Sequence, residues 1–282
     1  MVPSASTTTR LFHKHFYVSI AFLLTASFTF GLKLDEYVRS LEAEGDWYRA
    51  IGVWKEIRFE NPSGVAYWEA EQAILVDLWA AKQYETGLKE VSQIESSLES
   101  EPPYRRQAGL SWKGLFQYEL SRFPSAEYSW SVAQAPLYLG LVEAKTNRND
   151  EAKEHWAGLT SLPDPTTLKA DSRNPALAAG LSLAFPGAGQ VYAGHWYDGA
   201  QALTLVGFFG FSTWGTYLYD SKVSGNYTFT AISAGISMFF EIANVYGAYK
   251  TAEFYNQNQE RKRISLLENA VFSRPLPSLV ND

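Results

Sequence analysis

The stretch "LDEYVRSLEAEGDWYRAIGVWKEIRFENP" (residues 34–62) decides the fold. Its second half places a bulky side chain at Trp47, a small one at Ala50 and a bulky one at Trp54. Positions three and seven residues after the first lie on one face of an α-helix. The polar run "EGD" before Trp47 is suited to a turn. The stretch therefore predicts a helix, a tight turn and a second helix that packs through its Trp-Ala-Trp face.

The same bulky-small-bulky pattern recurs along the chain. Further copies begin at Tyr84, Phe123 and Asn149, where the polar Asn149 replaces the first bulky residue. Few glycines and no long β-branched runs occur in residues 32–162, so helix is favoured over strand. We expect a helical repeat array over this range. The residues that form its framework are Trp47, Ala50, Trp54, Pro62, Tyr84, Gly87, Val91, Phe123, Ala126, Trp130, Ala152 and Trp156.

The first copy resembles the tetratricopeptide repeat. Gly45 occupies the turn, Trp47 the aromatic position, Ala50 the small position, and Pro62 follows twelve residues later. The later copies lack this proline, so the array is a degenerate version of the repeat. The resemblance implies a curved stack of helix pairs with a concave face that binds peptides or proteins. In the helix before the second copy, polar Gln72 is the one gap in an otherwise apolar stripe.

Residues 1–31 have the pattern of a secretory signal. Arg10 and Lys14 precede the apolar run at 16–31, as a basic region precedes the hydrophobic core of a signal peptide. The same pattern also fits an uncleaved N-terminal anchor, and the sequence leaves both open. In either case we expect the array to lie on the exported side of a membrane.

Two long apolar runs follow the array. Residues 199–219 contain no charge and residues 228–249 contain one acid, and a helix needs about 20 apolar residues to cross a bilayer. Glycine and serine in both runs allow close packing of membrane helices. We therefore expect an all-α chain with a C-terminal transmembrane hairpin. The predicted organisation is a linker at 163–174, a membrane domain at 175–257 and a polar C-terminal tail at 258–282.

The stretch "PGAGQVYAG" (186–194) interrupts the apolar region 175–197 and predicts a short or re-entrant helix with a glycine-rich corner. A phosphate-binding loop is disfavoured, because no strand precedes the glycines and no Gly-Lys-Ser/Thr follows them. The stretch resembles the corner of bacterial membrane domains related to the TM-two family. That resemblance covers about residues 174–257 and implies membrane residence with little chemistry. The matching residues are Pro186, Gly187, Gly189, Gln190, Tyr192 and Gly194.

Glu241 is the acid inside the second apolar run. An ionisable residue in a membrane span is costly and is a functional candidate. Glu241 could handle a proton or substrate, or it could form a hydrogen bond that fixes the register of the helices. The number of C-terminal passes, two or three, also stays open at this point.

Composition excludes several classes of function. A net charge of −6 argues against a general nucleic-acid binder, and the absence of cysteine excludes thiolate chemistry. No Ser-His-Asp arrangement or metal-ligand spacing is present, so we expect no enzyme, no cofactor and no metal.

We expect a protein of the bacterial inner membrane with a periplasmic array and a bilayer-bound hairpin. Its expected role is an adaptor or assembly factor that binds a protein partner; the alternative is transport or small-molecule handling through the hairpin and Glu241.

Overall fold

The chain is all-α. A computed structural model describes residues 34, 36–168 and 170–280; the predicted signal or anchor at 1–31 lies outside them. The described residues form helices and include no β-strand, so the predicted fold class is confirmed. The helices are α1 (36–44), α2 (Trp47–Glu60), α3 (Val65–Ala80), α4 (Tyr84–Leu98), α5 (Pro103–Glu119), α6 (Phe123–Val132), α7 (Pro136–Lys145), α8 (Asn149–His155), α9 (Pro175–Ala184), α10 (Ala188–Tyr192), α11 (Trp196–Tyr219) and α12 (Thr228–Phe272).

Each of the four predicted copies is preceded by a turn of the same backbone geometry. In each turn one residue has a positive φ, and the next N–H bonds to a carbonyl five residues earlier, at 2.8–2.9 Å. This is the hydrogen bond that closes a helix in the Schellman motif. The positive-φ residues are Gly45, Lys82, Ser121 and Asn147. Each lies two residues before one of the predicted copies, so the turns have the spacing of the sequence pattern.

The first compact unit contains the described residues up to Val142 together with those from Pro275 onward. Its core is aromatic: the rings of Trp112 and Phe116 stack at 5.6 Å between centroids, and those of Trp130 and Tyr138 at 5.3 Å. Gly87 faces the ring of Phe116, where a Cβ would overlap it. The small residue in this copy therefore admits an aromatic ring of a neighbouring helix.

A buried ion cluster joins α2, α3 and α4. Arg58 Nη1 lies 2.7 Å from Glu71 Oε1 and 2.5 Å from Glu90 Oε1. Both carboxylates are almost fully buried, at 0% and 5% exposure. Burial raises the pKa of Glu71, and the Arg58 guanidinium only partly opposes that shift. The three helices are thus tied together by a charge arrangement that depends on one arginine.

The second compact unit runs from Glu143 to Arg274. It contains Ala152 and Trp156, so the fourth predicted copy falls here and not with the first three. Helix α12 contacts α9, α10 and α11. Residues 258–272, assigned above to a tail, continue this helix, because no proline or glycine interrupts it between Ala248 and Phe272. Buried Arg263 donates to the carbonyl of Ala144, 2.9 Å away at the end of α7.

In the described part of the chain, α12 is the one helix long and apolar enough to cross a membrane. It contains the predicted span 228–249, and only 6% of its apolar window is buried. The other predicted span, 199–219, forms most of α11 and stays a prediction. Many large apolar side chains of α11 and α12 are exposed, among them Phe208, Phe211, Trp214, Ile232, Phe239 and Ile242.

Candidate functional site

The predicted framework residues lie mainly inside the helical packing. Ala50, Ala126, Trp130 and Ala152 are fully buried, and Val91 is 1% exposed. The exception is Pro62, which is exposed just after α2. The framework therefore shapes the helices and offers little surface to a ligand. A binding surface has to be sought on other faces of the array.

Helices α3 and α5 hold a non-helical segment of the same chain, residues 275–280. The amide of Gln72 on α3 donates to the carbonyl of Pro277 at 3.0 Å and accepts from the N–H of Leu279 at 3.0 Å. Trp112 Nε1 on α5 donates to the same Pro277 carbonyl at 2.9 Å. Arg105 Nε donates to the carbonyl of Leu279 at 2.9 Å. We call the side chains of Gln72, Arg105 and Trp112 the clamp.

The clamp residues are fixed by their own neighbours. Trp112 is fully buried, and its ring stacks on Phe116. Arg105 pairs with Glu101 at 2.5 Å, and its guanidinium lies 5.2 Å from the ring centroid of Trp68. Side chains held in this way lose little further freedom when they bind a segment, which favours binding.

The clamp side chains bind the main chain of the segment. All four hydrogen bonds go to main-chain groups of Pro277 and Leu279. One side chain of the segment is buried completely, that of Leu279, whereas Ser278 is exposed. The arrangement is suited to binding an extended polypeptide that brings one leucine into the array.

The clamp is not apparent from the sequence. Its contacts join residues that are 165 to 207 positions apart, a separation that no local pattern reveals. The one signal was Gln72, the polar gap in an apolar helix face, whose amide now has both a donor and an acceptor role in the clamp. No local pattern distinguishes Arg105 or Trp112 from other residues of their helix.

The corner residues of the second unit meet in a buried polar cluster. Gln190 accepts from Ser182 Oγ at 2.8 Å and donates to the carbonyl of Asn244 at 3.1 Å. The N–H of Gly187 donates to Asn244 Oδ1 at 3.1 Å. The N–H of Gly189 donates to Ser182 Oγ at 3.0 Å. Ser182 and Asn244, which sequence reasoning did not select, complete the cluster.

Glycine is required at two corner positions by close approach. Gly187 has a φ of 85°, and a Cβ on it would overlap the carbonyl of Gly199. A Cβ on Gly189 would overlap the carbonyl of Ala178 on α9. Pro186 is half-buried at the end of α9, and Gly194 has a φ of 85° in the turn before α11. The hydroxyl of Tyr192 accepts from the N–H of Asn174 at 3.2 Å, which ties the corner to the start of α9.

Glu241 lies on α12 one turn before Asn244. Its Oε2 is 3.4 Å from Asn244 Nδ2, a long hydrogen bond. Asn244 Nδ2 also donates to the carbonyl of Ser182 at 3.1 Å. Glu241 further lines an open groove of about 500 Å³ together with Leu183 and Met238. Glu241 therefore lies beside the corner cluster, and its hydrogen bond is longer than those within the cluster.

No family model, curated protein or solved structure matches this chain. The resemblances to the tetratricopeptide repeat and to TM-two-related domains accordingly stay predictions. Among the described residues no group of histidine, aspartate and glutamate has an arrangement that could hold a metal ion. The clamp and its segment have the geometry of a site that binds a polypeptide backbone.

Proposed function

We propose that this protein is a membrane-anchored adaptor whose helical array binds an extended segment of a partner protein at the membrane surface. The observation that carries the proposal is the clamp, which holds residues 275–280 through main-chain hydrogen bonds. Main-chain hydrogen bonds give affinity for an extended peptide, and side-chain pockets give specificity. Both elements are present in the first unit.

Membrane residence is supported by the surface of α11 and α12. Soluble monomers rarely expose continuous apolar patches larger than a few hundred Å². Here both helices expose large apolar side chains along their length. The two helices also bond to each other through Thr216 Oγ1 and Ser233 Oγ, 2.7 Å apart, as expected for membrane helices that use small polar residues at their interface.

A two-pass hairpin fits the contacts inside the second unit. Lys145 Nζ lies 2.9 Å from Glu268 Oε1, and Arg263 contacts Ala144 and Asn149. Residues before α9 and after the apolar half of α12 are therefore neighbours, which supports an even number of crossings between them. Helix α9 has ten residues and is too short to add a third pass. We place the array on the exported side of a bacterial inner membrane, as the basic and apolar pattern of residues 1–31 indicates.

Site-specific photo-crosslinking in membranes tests the proposal. A benzoylphenylalanine at exposed Glu69, one turn before Gln72 on α3, is expected to crosslink to one recurrent partner protein. The comparison is made in a chain whose residues 275–280 are released by Leu279→Asp, so that they do not compete with the partner. In that chain Gln72→Ala removes two hydrogen bonds of the clamp, and we expect the crosslinked fraction to fall about tenfold. The matched control is Gln107→Ala, at an exposed position of α5, which leaves the clamp intact.

The rival proposal, transport or small-molecule handling through Glu241, makes a different prediction for the same assay. Glu241→Gln leaves the clamp untouched, so the adaptor proposal expects unchanged crosslinking. A partner yield that depends on Glu241 and not on Gln72 would contradict the adaptor function and favour the hairpin.

A further inference from the structure

The clamp is already occupied by a part of this chain, and its occupant indicates both the ligand and its control. We infer that the clamp binds partner segments in which a leucine follows a proline by two residues, and that residues 275–280 are an intramolecular competitor for them. The inference rests on the proposed function, because it assumes that the clamp also accepts segments of other proteins.

The sequence "PLPSLV" (275–280) is suited to extended binding. Proline fixes φ near −65°, and the residue before a proline is confined to extended conformations. With Pro275 and Pro277, four consecutive residues from Arg274 to Pro277 are restricted in this way. Part of the ordering entropy of binding is therefore lost before the segment reaches the clamp.

Each position of the segment has a distinct environment. Pro277 offers a carbonyl that accepts two hydrogen bonds and has no N–H that would need a partner. Ser278 is exposed, and its hydroxyl bonds to the main chain of Val280 and not to the clamp, so the clamp does not select the residue at this position. Leu279 is fully buried and uses both its N–H and its carbonyl. The environments define the pattern Pro-x-Leu.

Tethering makes residues 275–280 a strong competitor. A binding segment joined to its own site has an effective concentration in the millimolar range when the linker can span the distance. Residues 275–280 are held in the clamp here, so this condition is met. A partner segment has to displace them, and its apparent affinity is reduced accordingly.

The test is a titration of the full chain in detergent with a fluorescein-labelled, C-terminally amidated peptide of residues 273–280, followed by fluorescence anisotropy. Leu279→Asp cannot bury its carboxylate at a fully buried site, so it releases the segment. We expect this variant to bind the peptide at least about tenfold more tightly than the unaltered chain. The control Leu266→Asp, at a position 56% exposed, is expected to bind like the unaltered chain.

Three further variants make the outcomes separable. Leu279→Ala adds no charge and is expected to open the clamp partly, so it serves if Leu279→Asp lowers the helical circular dichroism. Adding Gln72→Ala to Leu279→Asp is expected to weaken peptide binding about tenfold, whereas adding Gln107→Ala is not. A peptide carrying the Leu279→Asp change is expected not to bind any variant.

The failures of the two proposals differ. Equal, tight binding to the unaltered chain and to Leu279→Asp would overturn the intramolecular competition and leave the adaptor function standing. No binding to any opened variant would overturn the clamp as a peptide site, and with it the adaptor function. Dimers of the unaltered chain that disappear with Leu279→Asp would assign the occupant to a second copy and overturn the intramolecular part.

Discussion

Replacing Arg58 by methionine is expected to lower the free energy of unfolding by about 3–5 kcal/mol. Arg58 is the cation that contacts Glu71 and Glu90, both almost fully buried. Methionine fills similar space but leaves Glu90 with Lys55, 3.3 Å away, and Glu71 with a hydrogen bond from Tyr67 and no cation in contact. Glu71 then has to stay charged in a buried site or take up a proton, and either costs stability.

Urea unfolding of the full chain in detergent, followed by tryptophan fluorescence, measures the effect. The matched control is Arg49→Met on the same helix, because Arg49 has a side chain 61% exposed and pairs with Asp46 at the surface. Exposed ion pairs contribute at most about 1 kcal/mol. Equal unfolding midpoints for the two variants would show that the buried cluster does not hold α2, α3 and α4 together.

Asp77→Asn is expected to remove a pH-dependent loss of stability of up to about 4 kcal/mol. Asp77 on α3 is 1% exposed, and its Oδ2 has no hydrogen-bond partner. Burial, assisted by the nearby charge of Glu42, raises the pKa of Asp77 from 3.8 to about 7. Between these values the folded chain holds a proton that the unfolded chain has released, so stability falls as the pH rises from about 4 to about 7.

Unfolding midpoints at pH 5 and pH 8 test this prediction. Asparagine does not ionise, so the variant is expected to gain about 4 kcal/mol of stability relative to the unaltered chain at pH 8 and about 1.5 kcal/mol at pH 5. Glu69→Gln, on an exposed position of the same helix, is the control and is expected to leave the pH dependence unchanged. A parallel pH dependence for Asp77→Asn and the unaltered chain would contradict a buried, neutral Asp77.

Local features of the fold could be predicted because they depend on neighbouring residues. The helices predicted before the first and second copies correspond to α1 and α3, since helix periodicity and polar turns are short-range signals. The corner glycines were predicted for the same reason: Gly187 turns the chain, and Gly187 and Gly189 both allow another backbone segment to approach closely. The length of α12 was not predicted. At residue 258 the sequence changes from apolar to polar, which suggested a tail, but polar residues do not end a helix.

The candidate site could not be predicted to the same degree. Its hydrogen bonds join Gln72 and Trp112 to Pro277, and only the packed array brings these residues together. The ion cluster of Arg58, Glu71 and Glu90 was also not predicted, because these residues meet only in the packed structure. In the sequence each resembles an ordinary polar residue of a helix. A polar residue inside an apolar stripe, such as Gln72, is the kind of local signal that indicates a tertiary partner.

A two-pass hairpin would keep the array and residues 275–280 on one side of a membrane, where the clamp can hold them. Labelling with a membrane-impermeant maleimide tests this most directly, because the chain has no native cysteine. The positions are Ser100→Cys in the array, Ser221→Cys between α11 and α12, and Ser265→Cys late in α12, all exposed. From outside intact cells we predict labelling at 100 and 265 and protection at 221. Labelling at 100 with protection at 265 would contradict the hairpin and the occupied clamp together.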